Sequence, residues 1–204
     1  MKSRPAGLLK GFVDHPARLG YIVMVILLNA VAAIRIPEVG KKRTEPRIVV
    51  HRQHLTVVLM QVITILIVIV APYCDRRGTA VLVESGTTRY LGLAMYAVGF
   101  LMMHWAEASL GKLFTMEVSI QEGQTLVTNG PYRYLRHPRY LGVDIFVFGI
   151  SLLYLSWPGL ILSVAMTLVL LWRIHDEEAF MSEEFGPDWE AYCRRSWRVI
   201  PFVF

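Results

Sequence analysis

The sequence predicts an all-α integral membrane protein of about five transmembrane helices, organised as one domain over residues 1–204. Three observations predict it. Hydrophobic residues make up 54% of the chain and charged residues 18%, with a mean hydropathy of +0.45, too apolar for an ordinary soluble domain. The apolar residues gather in five runs, and a chain crossing hydrocarbon must satisfy its backbone internally, which selects helices. The ionisable residues gather at the ends of those runs, so the formal net charge of +5 reads as membrane topology. No aromatic-interleaved basic patch points to a nucleic acid partner.

Residues 19–34 form the first run, sufficient for a span once its ends are included, since about 20 helical residues cross a bilayer core. The rival reading is a signal peptide, with Lys2, Arg4 and Lys10 before the run and Ala30-Val31-Ala32 as a cleavage site. The long basic region and Asp14 within it favour the span. Residues 40–52 are a basic connector that Pro46 keeps from continuing as helix. The second span, 55–73, is rich in Val and Ile, and Pro72 is expected to end it. Residues 75–89 carry Arg76-Arg77-Gly78 and Ser85-Gly86 and read as a surface connection.

The third span covers 90–110. Within it His104 and Glu107, three apart, share a face and read as a satisfied pair at the helix end rather than a catalytic one. Residues 116–120, MEVSI, alternate in polarity and suggest a brief extended segment. Runs 140–155 and 160–172 flank Ser156-Trp157-Pro158-Gly159, a turn with an interfacial Trp, and so form a helical hairpin. Residues 176–195 intersperse acids with Phe180, Phe185, Trp189 and Tyr192, as expected of a helix lying at an interface. Cys74 and Cys193 have neither metal-ligand nor CxxC spacing and are read as unpaired, with three spans between them.

Chemistry concentrates in residues 128–140, TNGPYRYLRHPRY, and 173–178, RIHDEE. Gly130-Pro131 interrupts any helix there, so the Arg and His residues sit on an irregular segment or a fresh helix start. The hairpin returns the chain to the side it left, bringing RIHDEE beside RHPRY. Arg173 and Glu177, four apart, share a helical face with Glu178 beside them. The Arg173 stem is expected to lie along the bundle while its guanidinium reaches the interface. Two arginines, a histidine and tyrosines facing Arg173 and an acidic pair suit a zwitterion held at its carboxylate and ammonium ends. No Gly-rich phosphate loop, metal-ligand set or Ser-His-Asp order is present in the sequence. Twice as many Lys and Arg fall on the side of the first connection, the RHP segment and the carboxyl end as on the other, which places that side in the cytoplasm.

GPYRYLRHPRYLG, followed after the hairpin by RIHDEEAFMSEEFGPDWEAY and WRVIP, resembles the isoprenylcysteine carboxyl methyltransferase family and the related phospholipid N-methyltransferases. The resemblance covers about residues 111–201 and is strongest at RHPxYxG and RxxxEE. It implies S-adenosylmethionine as cofactor, bound by Gln124, Thr125, Leu126, Val127, Tyr132, Arg136, His137, Pro138, Arg139, Tyr140 and Glu177, with no metal. It also implies that Arg173 meets the acceptor, with Glu178 beside it as the second catalytic residue. The pocket it implies is cytoplasmic and formed by the segment before the last hairpin and the carboxyl-terminal helix. Residues 1–110 are then three scaffold spans and 111–204 the cofactor-binding and catalytic half. The family often has His where this chain has Gln124, whose amide can still hydrogen-bond.

Such a cofactor agrees with the residues, since its amino-acid end needs opposite charges, its adenosine can rest in an apolar slot, and it carries no phosphate. The acceptor stays open between a prenylated cysteine carboxylate, a phospholipid amine, and a small apolar acid or thiol entering from the bilayer. Membrane lipids are the expected surroundings. A membrane reductase would need additional basic contacts for a nicotinamide cofactor's phosphates. A non-enzymatic membrane protein would leave the joint occurrence of both motifs at one face without a reason.

Overall fold

Each of the five apolar runs is a helix. The computed structural model describes residues 15–35, 48–49, 54–111, 119–120 and 126–201. Its helices are α1 (Pro16–Arg35), α2 (His54–Arg77), α3 (Gly86–Leu110), α4 (Pro138–Leu153), α5 (Trp157–Phe185) and the short α6 (Pro187–Cys193). By length and composition α2, α3 and α5 can each cross a membrane; α4 is shorter, at 16 residues. Their outward faces are apolar, with Ile69 61% and Leu168 63% exposed, which is costly in water and natural against lipid tails. Strands β1 (Ile48–Val49) and β2 (Ser119–Ile120) pair antiparallel, so the alternating MEVSI segment is extended at its last two residues. Its first three residues lie outside the described ones, as does nearly all of the basic connector at 40–52.

Helices α3 and α4 pack backbone to backbone through glycines spaced seven apart on each: Gly92 and Gly99 on one, Gly142 and Gly149 on the other. A methyl group at Gly99 would lie 2.5 Å from Phe146 N, and one at Gly149 2.5 Å from Tyr96 N. Membrane helices lack a hydrophobic force between them, so close approach through small residues supplies the dispersion contacts that associate them. This packing carries the third helix, with Glu107, against the start of α4, with Arg139.

Helix α4 joins α5 through a tight turn in which Leu155 has a φ of 49° and Ser156 caps α5 by accepting from Gly159 N at 3.1 Å. The α2–α3 connection docks on that turn, with Leu82 N donating to Leu155 O and Trp157 N to Ala80 O. Two sequence expectations are corrected at this end. Pro72 does not end the second span: it sits inside α2, which runs a further turn to Arg77, since a proline this close to the end forfeits only one backbone bond. Nor is Arg89 part of a surface connection. It is 2% exposed within α3, and its five N–H groups reach both oxygens of Asp75, both oxygens of Glu84 and the Leu153 carbonyl. Arg18 adds a second ion pair to Asp75 at 2.7 Å, so α1, α2, α3 and α4 are tied at one end of the bundle.

The acidic stretch after Arg173 also differs from expectation. It is no separate interfacial helix but the continuation of α5, whose 29 residues reach about 43 Å at roughly 1.5 Å each, longer than the ~30 Å hydrocarbon core. Only after Gly186, at a φ of 46°, does α6 begin. Its Trp189 and Tyr192 are buried against protein.

Candidate active site

The site stands at the opposite end of α4, where a 3-10 turn (Gly130–Arg133) leads into the helix. Gly130 has a φ of 57°, and any side chain there would collide with Ser109. Pro138 occupies the first turn of α4, where its missing N–H costs nothing, and His137 is the residue before it. The carboxyl-terminal segment then returns alongside this entry: Trp197 N donates to Tyr134 O, Arg136 N to Trp197 O and His137 N to Arg198 O. Tyr192 locks the same segment from α6, its hydroxyl donating to Tyr132 O at 2.7 Å. Burial pushes that hydroxyl up to about 12, so it stays protonated and able to donate.

The returning hairpin does bring RIHDEE onto RHPRY. Arg136 Nε donates to Glu178 Oε1 at 2.7 Å, His137 Nε2 lies 3.3 Å from the same oxygen, and Arg198 reaches Glu178 Oε2 at 2.6 Å. Arg136 also donates to the carbonyls of Cys193 and Ser196. Glu178 is thus ringed by three cationic or imidazole groups, and Arg136 is turned onto the carboxyl-terminal segment. Both hold the entry of α4 in place.

One step along α5, Glu177 has a different neighbour. The Tyr140 hydroxyl donates to Glu177 Oε2 at 2.6 Å and accepts from Arg173 Nε at 2.7 Å. Arg173 and Glu177 therefore meet through a tyrosine rather than directly. Arg173 is 3% exposed and donates onward to Thr56 Oγ1 of α2 at 3.1 Å. The expected reach of its guanidinium to the interface is corrected: Tyr140 and Thr56 offer it hydrogen bonds inside the bundle, so it has no need to extend to water.

The rings of His137 and Tyr140 stack, 10° from parallel with centroids 5.5 Å apart. Tyr132 lies close enough to feel Glu177, Arg139 and Glu107, and burial, with the charge of Glu177 next, raises its hydroxyl above the ordinary tyrosine value. Asp176 Oδ2, on the same turn of α5, is buried with no hydrogen-bond partner among the described residues. Pro138 is buried at the helix start, and Leu126 and Val127 lead toward the 3-10 turn; Gln124 and Thr125 lie outside the described residues.

A cavity of about 320 Å³ opens between α2, α3, α4 and α5. Six of its lining side chains are apolar, Val57, Met60, Ile65, Met103, Val143 and Phe146; the others are Gln61, Thr64, Arg139 and Arg173. The second helix is thus more than scaffold, since it supplies half of this wall and the Thr56 partner of Arg173. Arg139 Nε is held by Glu107 Oε1 at 3.0 Å, and Glu107 Oε2 lies 3.0 Å from His104 Nδ1. The His104–Glu107 pair exists as the sequence suggested, but it also reaches the RHPRY segment. No group of metal-ligating side chains occurs among the described residues.

Comparison with known proteins identifies what the chain is similar to. The model of the phospholipid methyltransferase family matches residues 87–188, half of the chain and the part holding both polar clusters. The chain belongs to the phospholipid methyltransferase family. Its relatives include a probable protein-S-isoprenylcysteine O-methyltransferase of Oryza sativa subsp. indica, 34% identical over 121 residues, which are 56% of this chain and 61% of that protein. Protein-S-isoprenylcysteine O-methyltransferase A of Arabidopsis thaliana is 33% identical over 119 residues, 55% of this chain and 58% of that one. The chain spans about three-fifths of the length of these curated relatives. Among solved structures, the eukaryotic intramembrane Ras methyltransferase, isoprenylcysteine carboxyl methyltransferase, shares the fold, with a TM-score of 0.64 at 20% identity over 95% of this chain and 70% of that one.

Arg198, Thr56 and the α2 wall were not singled out in the sequence. Arg198 had a visible signal, a lone basic residue in the apolar WRVIP ending. Thr56 had none, because a threonine near the start of an apolar helix is ordinary.

Proposed function

We propose that the protein is an S-adenosylmethionine-dependent methyltransferase of the membrane, which methylates the carboxylate of a lipophilic acceptor at the cytoplasmic face. The carrying observation is the chain Arg173–Tyr140–Glu177, which couples the wall of an apolar cavity to a cluster of acids and stacked rings. On this reading the cavity takes the acceptor, and the cluster around Tyr132, His137, Tyr140 and Glu177 takes the cofactor.

The residues fit the cofactor. A sulfonium-bearing amino acid is cationic at two points, and this turn of α5 offers Glu177, which accepts from the neutral Tyr140 hydroxyl, and an Asp176 oxygen with no partner among the described residues. The His137–Tyr140 stack and Tyr132 provide aromatic faces for the cation and the adenosine. Leu126, Val127, Pro138 and, beyond the described residues, Gln124 and Thr125 complete the assignment by resemblance. Arg136 and Glu178 serve it indirectly by fixing His137.

When bound, the cofactor supplies an activated methyl group. The chain's own contribution is position and dryness. Arg173, clamped by Tyr140 and Thr56, presents a fixed guanidinium to a carboxylate, whose planar fork it matches. A carboxylate is already the nucleophile at neutral pH, so no residue has to remove a proton. The cavity excludes water by its six apolar side chains, and holding both reactants in line supplies much of the acceleration. An apolar body enters from the lipid side, where Ile65 is 57% exposed at the cavity wall.

The test is incubation of the purified chain, in lipid, with methyl-labelled S-adenosylmethionine and an apolar thioether carboxylic acid. Formation of a base-labile methyl ester supports the reading. Absence of cofactor binding overturns it, and label found on a phospholipid amine moves the protein to N-methylation.

A further inference from the structure

Among the described residues, the cavity wall contains two positive charges and no carboxylate. The acids that partner those charges, Glu107 at Arg139 and Glu177 through Tyr140, do not line it. The two arginines are supported differently. Arg173 comes from the RxxxEE element, whereas Arg139 occupies the open position of RHPxYxG, between Pro138 and Tyr140. Arg139 is also held with care: Glu107 takes its Nε with one oxygen and places the other 3.0 Å from His104 Nδ1. The His104 ring packs edge-on against Phe100 with centroids 4.1 Å apart, which fixes the imidazole in turn. A carboxylate fixed at both oxygens sets the plane of the guanidinium it binds.

An arginine inside an apolar helix bundle is costly to keep. If its only task were to neutralise Glu107, an uncharged pair would serve at less cost. Placed in the wall of a cavity that holds a second arginine, it acts on whatever enters. Two guanidinium groups in the wall of a mostly apolar chamber attract an anion and repel an ammonium group. The volume of about 320 Å³ is at the small end of the range for ligand sites, room for a head and the first part of an apolar body.

We propose that Arg139 is a specificity-determining residue that binds the anionic head of the acceptor together with Arg173, with Glu107 and His104 as positioning residues for its guanidinium. This rests on the reading of the cavity as the acceptor site, and is independent of methyl transfer itself. It moves Arg139 from the cofactor side, where resemblance put it, to the acceptor side.

The experiment uses the full chain in lipid nanodiscs and measures binding of 11-(dansylamino)undecanoic acid and of the corresponding alcohol by fluorescence, with S-adenosylmethionine affinity measured separately by calorimetry. The wild type should prefer acid to alcohol by roughly tenfold or more, the size of one charge-assisted contact. Arg139→Gln should reduce that preference to below about threefold while cofactor affinity stays within about twofold. Arg139→Lys should restore part of the preference, since charge returns without the fork. Glu107→Gln and His104→Ala should weaken the acid preference by smaller factors, and in turnover should raise KM more than they lower kcat. Loss of cofactor affinity in Arg139→Gln with the acid preference intact would place Arg139 on the cofactor side and overturn the proposal. An unchanged preference, or none in the wild type, overturns it as well. Should Arg139→Gln fail to fold, Arg139→Lys and Glu107→Gln decide by the same ratio. A wild type that prefers the acid and never methylates it defeats the enzymatic reading and leaves this one standing.

Discussion

Arg173 donates from Nε to the hydroxyl of Tyr140 at 2.7 Å, across 33 residues of sequence and between the two helices of the last hairpin. That hydroxyl in turn donates a hydrogen bond to Glu177 Oε2 at 2.6 Å. Replacing Tyr140 by Phe removes one oxygen and separates both charged groups from their shared partner. The expected result is weaker cofactor binding and weaker acceptor binding together, with a loss of about 1 to 3 kcal/mol of stability, the cost of leaving buried polar groups unsatisfied. Thermal unfolding and the two affinities check it; a variant that loses only one affinity would show that the tyrosine does not couple the sites.

His137 and Glu177 are assigned to the cofactor. His137→Ala and Glu177→Ala should each weaken S-adenosylmethionine binding by an amount worth about 1.5 to 3 kcal/mol, the range of hydrogen bonds to charged groups, while the protein stays folded. Glu177→Gln should do less harm than Glu177→Ala, because the Tyr140 contact survives. Calorimetry on folded variants decides. Unchanged affinity in both alanine variants removes these residues from the site.

The glycine contacts between α3 and α4 make a separate prediction about how the site is held. Gly99→Leu places a large side chain where even a methyl would lie 2.5 Å from Phe146 N, and backbone cannot move aside as a side chain can. The two helices must part, and with them Glu107 and Arg139. The variant should unfold at lower temperature and lose acceptor selectivity before cofactor binding. Gly111→Ala is the contrast: a methyl there meets nothing within 4 Å among the described residues, although its φ of 54° and ψ of −122° cost a non-glycine residue roughly 1–3 kcal/mol.

The pairing of RHPRY with RIHDEE was legible in the sequence because it depends on two local regularities, a helical hairpin that returns to its starting side and an i, i+4 spacing that puts Arg173 and Glu177 on one face. Other features rest on contacts that no local pattern encodes. Thr56 meets Arg173 across 117 residues, and Arg198 meets Glu178 only because the carboxyl-terminal segment folds back along 134–137. Arg89 looked like a connector residue because arginines usually are exposed, and it is buried because Asp75, Glu84 and the Leu153 carbonyl happen to fill all its donors. The glycines of α3 and α4 were a signal that went unread: seven-residue spacing on two apolar runs is a visible sign of close helix packing.

The two cysteines test the sidedness of the bundle. Both are free, and they lie at opposite ends of α4: Cys74 precedes Asp75 in the Arg89 cluster, and the Cys193 carbonyl accepts from Arg136. With the site in the cytoplasm, an impermeant thiol reagent applied to intact cells should reach at most Cys74, and Cys193 only after permeabilisation. Burial raises the Cys193 thiol above its usual value, although Arg136 opposes this, so little thiolate exists at neutral pH. Its labelling should therefore speed up steadily as the pH rises from 7 to 9. Labelling of Cys193 in intact cells would mean an inverted topology.

The acceptor's chemistry is read from Arg173. If it binds a carboxylate, its planar fork matters as well as its charge, and a lysine at the same place offers only a point charge. Arg173→Lys should then lower turnover by roughly tenfold or more while S-adenosylmethionine affinity changes little, because one of two charge-assisted contacts is lost. The pH profile adds an independent sign. A carboxylic acid with a pKa of about 4 is fully ionised from neutrality upward, so the wild-type rate should stay flat between pH 7 and 9. An amine acceptor must first lose a proton, so its rate would climb through the same interval, and a neighbouring guanidinium could only shift that climb to lower pH. Flat rates with a turnover defect in Arg173→Lys mark a carboxylate held by a fork. A steep climb from pH 7 to 9 at constant cofactor affinity would falsify the carboxylate assignment and leave Arg173 as a group that lowers the acceptor's pKa.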